Sequence, residues 1–195
     1  MGILNRRSFG IVFAAALGFA LVAAPSALAK GGKTFLDSDD AKEANEPQKF
    51  LPDYDKLMKG KDADWVYFPE GSLKKYKTVE VKEFGENGRG HEAREAAREG
   101  KEYMEEWLEK GGFKLADKGA ELVVEGNVFN AWEPGTGARI WGGWMANPGV
   151  GLEVILKDSS GKIVGEIRHK NRGSTIPDAV ENALEEVSKA IQDGR

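Results

Sequence analysis

The side chains best suited to recognition crowd between residues 126 and 151. Trp132, Trp141 and Trp144 stand there among Gly135, Gly137, Gly142, Gly143 and Gly149, with Asn147-Pro148 as a turn former. Tryptophan offers a large rigid contact surface with one donor, and glycine lets backbones approach closely. Two readings stay open. Trp132, Trp141, Trp144 and Asn147 form a surface that binds a protein or stacks on a sugar, since aromatic anchors dominate interface energetics. Alternatively the tryptophans are core, and the glycines shape a bulge or a close crossing of strands. Gly135-Thr136-Gly137 makes no nucleotide loop: it lacks the third glycine and ends in no Lys-Ser/Thr signature.

No catalytic constellation stands out, so no catalytic residue is expected. His91 and His169 are the only histidines. They fall in separate elements without His-x-His or His-Glu-x-x-His spacing, which argues against a metal site. His169 shares its strand phase with Ile163 and Ile167 and reads as a satisfied rim residue. Asp37, Asp39 and Asp40 lack the order and the distal Glu of a calcium loop. There is no Gly-x-Ser-x-Gly, and helix capping accounts for Ser174. Paired carboxylates for glycoside hydrolysis stay possible, because their geometry is invisible in sequence. Two basic clusters, Lys74-Lys75-Tyr76-Lys77 and Arg168-His169-Lys170-Asn171-Arg172, read as solvated strand ends, with peripheral contact to anionic headgroups as the alternative.

The amino terminus carries an address. Arg6 and Arg7 precede an apolar run over residues 9–23, Pro25 breaks it, and Ala27-Leu28-Ala29 supplies the small residues a signal peptidase reads. Cleavage is expected between Ala29 and Lys30, giving a periplasmic or secreted protein. Asn5-Arg6-Arg7-Ser8-Phe9 also resembles a twin-arginine signal, so the general secretory and twin-arginine routes both stay open. An uncleaved anchor is the competing reading, since a span needs about 20 apolar residues. The formal charge is −4; cleavage removes two arginines and no carboxylate, leaving −6. An acidic chain is a poor match for a phosphate backbone, so no nucleic acid is expected. Cysteine is absent, which excludes disulfides, thiolate sites and a lipid on an amino-terminal Cys. No cofactor is expected.

These residues must be held by ordinary elements. Residues 1–29 read as the signal, 30–48 as a polar tether and 49–195 as one domain. Order is expected to begin where Phe50-Leu51-Pro52-Asp53-Tyr54 can lie against a core. Short strands are predicted at 65–68 and at 78–84, the latter with Val79 and Val81 inward and Glu80 and Lys82 outward. The spacing of Ala93, Ala96, Ala97, Gly100, Tyr103, Met104, Trp107 and Leu108 predicts a helix over 91–110, stopped by Gly111-Gly112. Strands follow at 121–131, 150–157 and 162–170, with Ile163 and Ile167 sharing a face. Asp158-Ser159-Ser160-Gly161 joins the last two as a hairpin. Thr175-Ile176-Pro177-Asp178 opens a final helix. The fold class is therefore α+β: a single mixed or largely antiparallel sheet with two helices packed on one face.

The run Phe50-Leu51-Pro52-Asp53-Tyr54-Asp55-Lys56-Leu57, with Trp65-Val66-Tyr67 and Tyr76-x-x-Val79, resembles the opening of a bacterial envelope family. A second run is similar to a related family. It goes from Gly137-Ala138-Arg139-Ile140 through Gly149-Val150-Gly151-Leu152-Glu153-Val154 and Asp158-x-x-Gly161-Lys162-Ile163-Val164. Both families, small secreted proteins and lipoproteins, carry only the label of a domain of unknown function, of the 3313 and 4410 types. The resemblance implies an α+β domain akin to envelope accessory proteins and brings no catalytic residues; Lys30 stands where a lipidated Cys would be. The expected function is a non-enzymatic accessory or protein-interaction domain of the envelope, meeting another envelope protein or its own copy. A small-ligand or glycan-binding module, and a periplasmic hydrolase using carboxylates, are the alternatives.

Overall fold

The computed structural model describes residues 50–88, 91–134 and 147–194. The expected leader, its cleavage between Ala29 and Lys30, the tether, and the roles of Trp141 and Trp144 lie outside the described residues. Eight strands form one mixed sheet. In chain order they are β1 (Met58–Lys59), β2 (Trp65–Tyr67), β3 (Thr78–Val81), β4 (Gly85–Glu86), β5 (Lys114–Leu115), β6 (Leu122–Trp132), β7 (Gly149–Asp158) and β8 (Ile163–Arg172). Their order across the sheet is β1-β2-β8-β7-β6-β3-β5, and β4 also pairs with β6. From β1 to β6 the neighbours run antiparallel, whereas β3, β4 and β5 make parallel pairs. Helices α1 (His91–Lys110) and α2 (Ile176–Asp193) pack on one face, as the α+β expectation requires.

Alternation explains that face. Val150, Leu152, Val154 and Leu156 are every second residue of β7 and all are fully buried, beside Val124, Val128 and Ile167. From α1 they meet Ala93, Ala96, Ala97, Met104 and Leu108, and from α2 Val180, Ala183, Leu184, Val187 and Ile191. Both helices keep their charged stripe in water. Thr175 starts α2, its hydroxyl accepting from the Asp178 amide at 3.2 Å with Pro177 in the first turn. Ser174 stands next to this cap and donates to the Asp178 carboxylate. Between β7 and β8, Asp158 accepts from the amides of Ser160 and Lys162 at 2.9 and 3.1 Å, and Gly161 takes φ of 85°.

Several expectations need correction. The strand at 78–84 stops at Val81, and Glu80 is nearly buried beneath Lys82 instead of facing water. Ile163 and Ile167 do not share a face: a bulge at Val164 lets Leu156 pair with Gly165 and Lys157 with Ile163, so the parity flips between them. The second basic cluster is not a solvated strand end at its start, because Arg168 and His169 are buried.

The second sheet face has a different cover. Residues 50–57, including a single 3-10 turn at Tyr54–Lys56, lie across it as a strap. Leu51 and Leu57 join Trp65 and Ile155 in a small apolar cluster, flanked by Phe50, Tyr54, Tyr67 and Ile163. The expectation that Phe50, Leu51 and Tyr54 lie against a core holds here.

Candidate functional site

Strand register builds this second face row by row. Trp65, Arg168, Glu153 and Asn127 stand side by side on β2, β8, β7 and β6. Glu153 and Arg168 are each 1% exposed and form an ion pair. Tyr54, from the strap, donates its hydroxyl to Glu153, and Asn127 Nδ2 donates to the other carboxylate oxygen at 3.4 Å. Burial pushes the Glu153 carboxyl up, and the Arg168 guanidinium opposes it. Burial first, and then the Glu153 charge, push the Tyr54 hydroxyl up as well. A carboxylate already holding three donors is an anchor and not a free acid or base.

One row further, Tyr67, Glu166, Ile155 and Glu125 lie abreast. Glu166 is fully buried, and its Oε2 accepts from the Asp53 amide of the strap at 3.1 Å. Its Oε1 is buried with no hydrogen-bond partner among the described residues. Burial, before any neighbour, pushes its carboxyl up to about 7.

In the opposite direction along the strands the rows become aromatic and cationic. Lys170, Gly151 and Asn130 form one row; Arg172, Gly149 and Trp132 form the next. A bulge at Phe129 turns that ring over β7. The glycines of β7 make the room: a Cβ at Gly149 would collide with the Trp132 ring, and one at Gly151 with the Phe129 ring. Phe129 carries Arg168 at 3.6 Å and Lys170 at 5.7 Å from its centroid, and Trp132 carries Arg172 at 5.0 Å. Trp132, Phe129, Lys170 and Arg172 are half-buried.

The structure thus brings together two of the residues singled out by sequence. Asn147 is exposed, and its carbonyl accepts from Arg172 Nη1 at 3.3 Å, so Arg172 ties Asn147 to Trp132. Trp132 is neither simply core nor simply exposed. Among the described residues Gly149 and Gly151 do shape close packing, seating the rings of Trp132 and Phe129. Phe129 was not singled out by sequence, and Lys170 and Arg172 were read there only as part of a basic cluster; the period-2 placement of Arg168, Lys170 and Arg172 was the signal that they share a face.

His169 lies on the helix face, opposite Leu152. Its Nδ1 is 3.0 Å from the Asp64 carboxylate and 3.2 Å from the Asp64 amide, and its Nε2 is 2.7 Å from Glu186 of α2. Burial is the largest single influence and would raise the Asp64 carboxyl, but the hydrogen bond and charge of His169, joined by the amide and charge of Lys170, together hold the group below its ordinary value. This is a bolt joining β8, the turn before β2 and α2. His91 is exposed at the start of α1, 3.5 Å from Glu92. Among the described residues no three acidic or imidazole groups gather as metal ligands, and no helix is long and apolar enough to cross a membrane.

No family model matches the chain, and no curated protein does. Among solved structures, a PelC dodecamer from Paraburkholderia phytofirmans is similar with TM-score 0.47 and 19% identity, over 63% of this chain and 94% of that one. The lipoprotein GNA1162 from Neisseria meningitidis gives TM-score 0.35 and 11% identity, over 50% and 83%. A DUF4136 family protein from Bacteroides thetaiotaomicron gives 0.36 and 14%, over 71% and 96%. Likenesses this distant do not say what this chain does.

Proposed function

We propose that this chain is an exported protein of the bacterial envelope, related to its domain-of-unknown-function families, that works by binding and not by catalysis. Its contact surface is the aromatic and cationic end of the second sheet face, with the connection from β6 to β7. The observation that carries this reading is the Trp132 ring laid over Gly149 beside the Arg172 guanidinium. Such an arrangement presents a preorganised, half-buried aromatic edged by cations, and immobile aromatic and arginine side chains contribute most at protein interfaces. Asn147, tied to Arg172, places the start of β7 at the same spot. The occupant is another envelope protein or a second copy of this chain.

The test is cross-linking and capture from intact cells with three forms: wild type, Trp132→Ala, and Trp141→Ala/Trp144→Ala. Circular dichroism first establishes that each variant is folded. A specific partner held by wild type and lost from folded Trp132→Ala is the expected result. Equal capture by all three forms would move the contact elsewhere on the domain. A wild type that captures nothing and stays monomeric would overturn the reading.

A further inference from the structure

The strap and the sheet beneath it meet through a buried carboxylate that no part of the binding reading uses. Glu166 points from β8 into the strap, and the strap reaches it with the Asp53 amide. Among the described residues no cation forms an ion pair with it. Facing it are Asp53, Tyr54 and Lys56 from the strap, Tyr67 from β2 and Glu153 from β7; Arg168, two residues along β8, is engaged with Glu153. Lys56 is itself held by Asp53 at 2.9 Å and lies 5.4 Å from the Tyr67 ring. We propose that residues 50–57 form a pH-operated latch on the second sheet face: the strap lies down when Glu166 is protonated and lifts when Glu166 is ionised.

The chemistry of the two oxygens supports this. A proton on Oε1 removes the buried charge without disturbing the bond from Asp53 to Oε2. Ionisation leaves a charge with one amide donor, an uncompensated oxygen and the Glu153 carboxylate nearby, a combination that the interior penalises. Lifting the strap hydrates Glu166 and relieves that penalty. It also uncovers the apolar cluster of Leu51, Leu57, Trp65 and Ile155.

The sign follows from the raised carboxyl. Under the strap Glu166 titrates at about 7, against 4.5 for an ordinary glutamate. Between these values the lifted state gives up its proton first. The strap is therefore most firmly held at acid pH. Its opening constant then grows by a factor approaching ~10 per pH unit and levels off above about 7.

Hydrogen exchange of the folded chain across that range tests the latch, with each rate divided by that of an unstructured peptide at the same pH. The Lys56 amide, bonded to the Asp53 carbonyl at 2.9 Å, reports the strap, and amides of β7 report the sheet. Wild type should lose strap protection steeply with rising pH while β7 changes far less, and Glu166→Gln should be flat. A flat wild type, or a Gln variant that follows wild type, overturns the proposal. Should Glu166→Gln not fold, carbon NMR of the Glu166 carboxyl in wild type decides the matter. A midpoint near the ordinary glutamate value overturns the latch, and one well above it that moves with the strap signals supports it.

Discussion

Along β7, Val150, Leu152, Val154 and Leu156 sink into the helix layer, while the residues between them, Gly149, Gly151, Glu153 and Ile155, meet the strap and the aromatic rows. One strand thus serves two kinds of interior. The helix face is hydrocarbon, held by non-directional burial that rewards filling space. The strap face is held by bonds that must find particular partners: Tyr54 and Arg168 on Glu153, the Asp53 amide on Glu166. Burying charge is unfavourable unless it is paired, so this face adds little net stability but constrains orientation. The difference teaches where change is possible. The helix layer tolerates changes that keep its volume, whereas the face built from pairs tolerates changes that keep or remove both partners of a pair together.

The largest blow to that contrast is Arg168→Met, which leaves Glu153 buried without its cation. It should destabilise the domain by about 3–5 kcal/mol in urea unfolding. Adding Glu153→Leu should recover most of that loss. A double variant as unstable as the single one would mean that Arg168 acts through packing on Phe129, and the two faces would be alike. Next, Leu152→Ala should cost about 3 kcal/mol through the cavity it leaves among α1, α2 and β7. That loss should appear equally in helix and sheet signals, because the layer is one cooperative unit. A smaller, local effect is expected from Tyr54→Phe, about 1–2 kcal/mol from the lost bond to a carboxylate. Exchange should quicken across the strap and hardly change in α2. A uniform loss across the molecule would show the strap to be part of the main core.

Much of the helix face was legible beforehand because its signals are short-range. The spacing from Ala93 to Leu108, the alternation in β7 and the turn at Asp158-Ser159-Ser160-Gly161 each report a local preference that the fold keeps. The second face was legible only in outline. Asp53 and Glu166 are 113 positions apart and Tyr54 and Glu153 are 99 apart, so nothing local marks them as partners. The short strands β1, β4 and β5 escaped for a related reason: two residues give no period, and only pairing to a neighbour makes them strands.

By itself, then, the sequence determined where the helices and the long strands lie and that they form an α+β layer. These follow from periodicity, capping and turn chemistry, which act over a few residues. Tertiary structure alone decided that a bulge at the buried Val164 sends Ile163 to the other face, that Arg168 and Glu166 are buried, that Gly149 seats Trp132, and that His169 bolts Asp64 to Glu186. The reason is register: which side chain meets which across a sheet depends on the alignment of distant strands, and one extra residue inverts every contact beyond it.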